Sequence, residues 1–586
     1  MGRHRDPGHT TDSGQAPLKV SVVVPVYNPG RAIEPCIASV LGQSLPRHDY
    51  EVLFVDDGST DETPARLDEL VAREPNVRVI HIPNSGWPGR PRNVGIEAAR
   101  GDYVQFLDND DALGREALER LYAIGRRNDA DIVIGKVASD FRGVPQGVFR
   151  RTRESCTIRD APLIDSLTPH KMFRTAFLRE HEIRFPEGRR RLEDQLFMVR
   201  AYFAAAAVSI LGDYVCYFYR KRQDGSNAGS ARIDPDGYYA NLREVLDVVR
   251  DNTEPGELRD RLLRRFYRVE ILGRLSEPGY LRHEADYRAA LFAAARAIAL
   301  ESMSADLDAT LAPLATVRAT CLRADRPDLL LELCRRLAMV SATASLEAVT
   351  WRRGRLHVSL RAGFVTGDPG TSFSPLRLVR DGDRLTLALA HAIGDGPVDV
   401  TAEASKLHVE VLLHDRATSV EWLVGSRSTA ELVDDVDGTH AVVGATTKVN
   451  PLRVVGSAAL ERGTWDVVVR VAGFGIDRRT RVTAEPSVAL VPGLVGVPPT
   501  VVVPLRGNGP FAIDVDRAAT TLAASLDPAE VVFAPTAGRA LQASLPIATT
   551  PESGRGDVVL VLGQGPAEQV WHSTLAPARK RVVLDA

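Results

Sequence analysis

The segment Asp108-Asn109-Asp110-Asp111 sets three carboxylates and an amide side by side, directly after the apolar run YVQFL. Carboxylates held so close repel one another and resist desolvation unless a positive charge sits among them. Mg²⁺ and Mn²⁺ match oxygen donors of this kind and typically take one or two carboxylates together with substrate phosphate oxygens. Taken alone, the four residues also read as an exposed acidic turn capping the next helix. A second acidic pair, Glu193-Asp194, opens the stretch EDQLFMVRAYFAAA. Carboxylates there either favour a helix start or stand ready to take a proton from a substrate hydroxyl. Polar groups recur in Pro25-Val26-Tyr27-Asn28, Asp56-Asp57-Gly58-Ser59 and Asn84-Ser85-Gly86.

What positions these groups is a βα alternation that starts at Lys19. The apolar runs VSVVVPVYN, EVLFVDD, VRVIHIP, DYVQFLDND and DIVIG alternate with helical stretches at 31–43, 61–73, from Gly89, and at 115–127. Short β-branched runs separated by amphipathic helices specify a mostly parallel sheet covered on both faces. Ligands of such sheets bind outside the carboxyl ends of the strands. Four consecutive strand ends carry Asn, carboxylates and Gly, which makes ordinary turns a poor account of all of them together. No G-x-x-x-x-G-K-[ST] loop is present, and VVVPVYNPG lacks G-x-G-x-x-G, which disfavours an ATPase or an NAD-dependent enzyme. Gly86 and Gly89 instead precede a helix whose first turns carry Arg90, Arg92 and Asn93, a site suited to an anionic or nucleotide group. After Gly135 the pattern breaks into what reads as loops and short antiparallel pieces up to about Ser230.

The rest of the chain must do something else, because 586 residues exceed one hydrophobic core. From Tyr238 to about Ser341, apolar residues at i, i+3 and i+4 in YYANLREVLDVVRD and DLLLELCRRLAMV predict helices. Beyond Ala344, strand-like alternation in RLHVSLRA, KLHVEVLL, TWDVVVRVA and DVVLVLG predicts β-sandwich units. The expected divisions are a loose tail at 1–17, an α/β catalytic domain at 18–232, a helical linker domain at 233–343, and β-sandwich domains at 344–485 and 486–586. The four Trp residues of the tail, Trp351, Trp422, Trp465 and Trp571, read more readily as sandwich core than as sugar platforms.

A formal charge of −3 argues against nucleic acid as a partner. Only seven of the 73 basic residues are Lys, which reads as genomic bias. The five Cys are scattered with no C-x-x-C, fitting a reducing compartment. No run is long and apolar enough for a membrane span, and the N-terminal segment lacks a signal-peptide core, so the expectation is a cytoplasmic protein with at most peripheral membrane association.

The motifs SVVVPVYN, VDDGSTD, NSGWPGRPRNVG, FLDNDD and LEDQLF occur in that order between Val20 and Phe197. On them, the chain from Val20 to about Ser230 resembles the family 2 glycosyltransferases of the nucleotide-sugar-binding type A fold. With its helical middle and β-rich tail it is also similar to the wall teichoic acid glycosyltransferases that modify polyribitol phosphate. The resemblance implies a UDP-sugar donor, an inverting transfer and a Mn²⁺ or Mg²⁺ ion. Pro25, Tyr27, Asn28, Asp57, Asn84 and Arg92 would hold the uridine, with Asp56 shaping the pocket. Asp108 would sit by the ribose or metal, Asp110 would be the principal metal ligand, and Asp194 would be the base, with Glu193 adjacent. Arg222 and Ser226 would contact donor or acceptor. His170 and Lys171 in TPHKMFR, with Arg190 and Arg191, are candidates for the acceptor side. The expected acceptor is a hydroxyl of a cell-envelope glycopolymer such as teichoic acid, or of a glycolipid, and a homodimer or trimer is open. Two rivals stand beside this reading: a non-catalytic glycan-binding scaffold, and a nucleotidyl- or polyol-phosphate transferase on the same sheet.

Overall fold

The computed structural model describes residues 18–221, 232–367, 373–390, 397–496, 500–506 and 510–516, and further on the segments 532–535, 541–545, 547–549, 556–562, 569–578 and 581–585. Arg222 and Ser226 lie outside the described residues.

The first domain is built on strands β1 (Val20–Val26), β2 (Tyr50–Asp56), β3 (Val77–His81), β4 (Tyr103–Phe106), β5 (Ala112–Leu113), β6 (Ile132–Ser139), β7 (Arg153–Cys156), β8 (Met172–Arg174) and β9 (Val208–Tyr219). They form one mixed sheet in the order β3-β2-β1-β4-β8-β6-β9-β5, with β7 also on β9. β1, VSVVVPV, is buried along its whole length, as a central strand covered on both faces must be. β1, β2, β3 and β4 are parallel, and Val26 lies opposite Asp56, which lies opposite His81. This register brings the carboxyl ends of the strands to one rim.

Six helices flank the sheet: α1 (Glu34–Leu41), α2 (Thr63–Arg73), α3 (Gly89–Ala98), α4 (Ala117–Arg127), α5 (Thr175–Glu180) and α6 (Glu193–Ala204). α3 lies so close to β1 that a Cβ on Gly95 would fall 2.2 Å from Val23 Cγ1. Gly95→Ala should gain about 1 kcal/mol of helix propensity but cost about 1–3 kcal/mol of overpacking. The expected result is a lower urea midpoint at unchanged slope, and a raised midpoint would contradict this packing.

The region after Gly135 contains the expected short antiparallel pieces, β7 against β9 and β8 against β4 and β6, but it is more regular than loops and short pieces alone. It holds α5, α6 and the 12-residue β9, which runs parallel to β6 from Ile132↔Val208 to Ser139↔Tyr219. The register shifts after Gly135↔Leu211, so that Lys136 faces Val215. Such an irregularity breaks the period-2 pattern by which a strand is recognised.

The helical middle comprises α7 (Pro235–Asp251), α8 (Glu257–Phe266), a π-helical turn at Tyr267–Leu272, α9 (Ala285–Ser302), α10 (Ala305–Asp308), α11 (Pro313–Arg323) and α12 (Pro327–Ala338). α7 starts at Asp234, whose carboxylate accepts the Gly237 amide at 2.9 Å, and it buries Leu242, Val245, Leu246 and Val249 on one face. Glu277 accepts from Arg318 of α11 and, at 3.1 Å, from Arg478 of the β region, tying the two together.

Next come β10 (Val340–Arg352) and β11 (Arg355–Thr366), which pair with each other in an antiparallel sheet that also takes in strand 438–449. A second sheet runs through strands 408–415, 463–473, 512–515, 500–505 and 493–495. The expected join at residue 485 is therefore corrected: strands 493–495, 500–505 and 512–515 complete the second sheet of the first β unit. Glu485-Pro486 reads as a terminus because a Pro follows a hairpin, yet the chain returns to pair. Strands 532–535, 541–545, 556–562, 569–578 and 581–585 form a further five-stranded sheet. Trp422 and Trp465 are buried, in keeping with a core role, while the side chain of Trp571 lies outside the described residues.

Candidate active site

The strand ends open into a cleft of about 1000 Å³ whose lining includes Tyr27, Asp57, Arg92, Asp108, Asp110 and Asp194. Its floor is organised by one side chain, Arg92. This residue of α3 is 3% exposed; its Nη2 donates to Asp108 Oδ1 and its Nη1 to Asp194 Oδ1, each at 2.8 Å. Burial works against the guanidinium's charge, but Asp194, Asp108 and Glu193 outweigh it and hold Arg92 firmly protonated. Arg92 is thus a buried link between the strand-end acids and the acidic start of α6, and it also lines the cleft in which the resemblance expects it to contact the uridine.

Asp108 is held from its other side by His170, whose Nε2 lies 2.9 Å from Oδ2. The His170 ring stacks on Tyr217 at 4.5 Å, and its Nδ1 lies 3.1 Å from Tyr219 Oη. Burial pushes the imidazole pKa down in spite of Asp108. Burial likewise disfavours the Asp108 carboxylate, but His170 and Arg92 outweigh it and keep that carboxyl well below the usual range. His170 is therefore a buried support of Asp108.

Asp111 accepts from Tyr217 Oη at 2.7 Å and from the Arg220 amide at 2.9 Å. Its carboxyl is pushed up by burial and by the neighbouring Asp108 and Asp110. Asp108, Asp111 and His170 each offer a ligand atom within 4.8 Å of one another, and Asp110 lines the same wall of the cleft. This oxygen-rich, mutually repelling set fits a hard divalent cation.

The two loops that would face a nucleoside are clamped together. Asn28, at φ 45°, accepts the Thr60 amide at 2.7 Å, and its own amide donates to Ser59 Oγ at 3.0 Å. Asp56 accepts the Ser59 amide at 3.0 Å and lies 2.8 Å from His81 Nδ1. Asn84 donates to the Asp57 carbonyl at 2.8 Å, while Asp57 accepts from the Ser85 amide and hydroxyl, both at 2.9 Å. Asn28, Asp56 and Asn84 thus brace these loops and are not among the residues that line the cleft. Pro25, half-exposed Tyr27 and Asp57 line it directly.

Glu193 and Asp194 are aimed by an uncommon backbone. Leu192 precedes α6 in the left-handed region at φ 63°, where a branched residue is strained. Burial and then Asp194 push the Glu193 carboxyl up. Arg191 lines the cleft with its guanidinium 5.5 Å from the Trp87 ring, whereas Arg190 turns to Glu244 of α7 at 3.1 Å and is not part of the lining. Lys171, a candidate for the acceptor side together with His170, is buried in the cleft wall with its pKa lowered by burial to about 7. Tyr217 and Tyr219 escape notice with the rest of β9. The linker domain also reaches the site: Tyr238, Arg265 and Arg274 line the cleft, and Glu270 accepts from Gln195, next to Asp194, at 2.9 Å.

The sheet thus gathers Asp57, Asp108 and Asp110 at its strand ends, and they share one cleft with a carboxylate carried on a separate helix. The family model "Glycosyl transferase family 2" matches residues 21–212, and "Glycosyl transferase TarS linker domain" matches 235–334. A poly(ribitol-phosphate) β-glucosyltransferase of Bacillus spizizenii is 37% identical over 40% of this chain and 37% of its own. Two poly(ribitol-phosphate) β-N-acetylglucosaminyltransferases of Staphylococcus aureus follow. TarS is 34% identical over 42% of this chain and 44% of its own, and TarP is 32% identical over 39% of this chain and 72% of its own. The alignments thus span well under half the length of the first two relatives. The chain belongs to the family 2 glycosyltransferases.

Proposed function

We propose that the protein transfers a sugar, with inversion, from a UDP-sugar to a hydroxyl of a polyol-phosphate cell-wall polymer. The observation that carries this reading is the Asp108–Arg92–Asp194 chain, which holds the Asp194 carboxylate in one cleft with the strand-end acids. The named acceptor of the relatives, poly(ribitol phosphate), supports the polymer. In this reading Asp194 takes the acceptor's hydroxyl proton as that oxygen bonds to the anomeric carbon, and the bond from that carbon to UDP breaks. One displacement with one base inverts the centre, so no covalent nucleophile is required. Arg92 holds the Asp194 carboxylate in place through its Nη1. Tyr27 and Asp57 would flank the nucleoside, and Arg191 the acceptor side.

Asp108 and Asp110, with Asp111 and His170 behind them, would hold Mn²⁺ or Mg²⁺, which stabilises charge on a departing diphosphate. Five cysteines, all unpaired and buried, support a reducing, cytoplasmic setting. Among the described residues no helix is long and apolar enough to cross a membrane.

The test is incubation with UDP-glucose or UDP-N-acetylglucosamine, poly(ribitol phosphate) and Mn²⁺, followed by UDP release and product mass. Addition of one hexosyl or N-acetylhexosaminyl mass supports the reading; addition of a phosphodiester unit favours a phosphotransferase. A chelator is expected to abolish turnover and Mn²⁺ to restore it. Asp110→Ala should also weaken Mn²⁺ binding measured by calorimetry without nucleotide, and unchanged binding would remove Asp110 from the metal set.

A further inference from the structure

A second anion site is built into the β region, away from the cleft. Arg355, Lys448, Asn450, Arg453 and Gly456 line a concavity of about 290 Å³ with no acidic side chain among them. It forms where the start of β11 meets the end of strand 438–449, with His357 opposite Lys448 and Leu356 opposite Val449. In the hairpin that joins β10 to β11, Arg352 pairs with Arg355. Among the described residues none of Arg355, Lys448 and Arg453 forms an ion pair, whereas many other Arg side chains of the β region do. Arg377, Arg470, Arg478, Arg479 and Arg481, for instance, are each paired with a carboxylate.

The cations are close enough to be felt by a neighbour: the His357 pKa is lowered by burial and then by Lys448, Arg352 and Arg355. Repelling charges gathered without a counter-ion destabilise the fold locally, so an anion that binds there gains what the fold lacks. An overall charge of −3 means that the patch is not a sample of a generally basic surface.

The loop that supplies Arg453 and Gly456 is docked on the catalytic domain. Ser457 Oγ donates to Asp213 Oδ2 at 2.7 Å, and a Cβ on Gly456 would lie 2.8 Å from the Asp213 Cβ. Asp213 belongs to β9, the strand that carries Tyr217 and Tyr219 into the active site. The concavity is therefore fixed relative to the cleft, as a second contact for one long acceptor needs to be.

We infer that Arg355, Lys448, Arg453 and Asn450 form a phosphodiester-binding site that holds a distal part of the polyanionic acceptor while another part is glycosylated in the cleft. This rests on the polyol-phosphate reading above. A tethered chain meets the cleft at high effective concentration, so the site acts on long acceptors and leaves short ones untouched.

The test compares the full-length protein with R355Q/K448Q/R453Q, whose melting temperature is checked first. These side chains are solvent-exposed, and single R355Q and K448Q variants serve if the triple variant unfolds. The KM for long poly(ribitol phosphate) is expected to rise about tenfold, equivalent to 1.4 kcal/mol. The kcat, the KM for a one-repeat acceptor and the KM for donor should stay as they were. Direct binding of fluorescent poly(ribitol phosphate) should weaken to match, with a shallower salt dependence. An unchanged KM and unchanged polymer binding overturn the proposal. Loss of binding to phosphatidylglycerol vesicles with polymer binding intact also overturns it, in favour of a membrane contact. If the unmodified protein glycosylates no polyol phosphate, the functional reading fails, and the binding assay still decides whether the site takes phosphodiesters.

Discussion

Asp194→Asn is expected to lower acceptor-dependent turnover by roughly 10²- to 10⁴-fold, the usual contribution of a positioned general base. The amide oxygen can still accept from Arg92 Nη1, as the carboxylate does at 2.8 Å, so the buried link to Asp108 survives. Donor binding, measured by calorimetry with UDP-sugar, should therefore stay within a factor of two or three, and the melting temperature should change little. The loss should appear in kcat and not in the donor KM. Full activity in Asp194→Asn would move the base elsewhere, and Glu193→Gln would be the next variant to measure.

The second large effect is expected at Arg92. Removing one partner of a buried ion pair leaves uncompensated charge and typically costs about 3–5 kcal/mol. Arg92→Met leaves Asp108 and Asp194 facing each other without the cation that both contact. A large drop in urea midpoint and a loss of activity are expected together. Arg92→Lys separates the two effects. An ammonium keeps the charge but lacks the planar fork that reaches two carboxylates at once. That variant should recover most of the stability and remain at least about a hundredfold impaired in kcat. Near-normal turnover in Arg92→Lys would show that charge alone is needed and that the geometry of the fork is not.

These two residues also mark how far the chain can be read before it is folded. Asp108, Asp110 and Asp194 are legible because the βα alternation assigns each of the first two to a strand end, and an acidic pair opening an apolar helix stands out. The role of Arg92 is not, because a Gly/Pro-rich loop followed by Arg suits an exposed anion site equally well. Only the folded chain, in which Arg92 is buried and bonded to both Asp108 and Asp194, shows that the guanidinium is turned inward. His170, Lys171 and Tyr217 gain their meaning from β8 and β9. The irregular pairing of β9 near Gly212 hides that strand from a period-2 reading, and its partners are far away in sequence. The β-region boundary fails for a related reason: pairing of strand 512–515 with strand 463–473 is a long-range fact that local turn chemistry does not encode.

Lys136, buried on β6, donates to Gln146 Oε1 at 3.0 Å and lies 4.9 Å from the ring of Trp422, on the far side of the domain junction. Gln146 in turn donates to Glu421 at 3.1 Å, and burial holds the Lys136 pKa down to about 8. Anyone recombining catalytic units between related chains would thus inherit an amine tuned to a wall that the recipient has to supply. A chimaera joined at the end of the first domain must carry Trp422 and Glu421 across with it, or re-engineer Lys136 as an apolar residue. The workable unit of exchange is defined by this contact and by the grip of Glu270 on Gln195, and it extends well beyond the sheet that bears the chemistry.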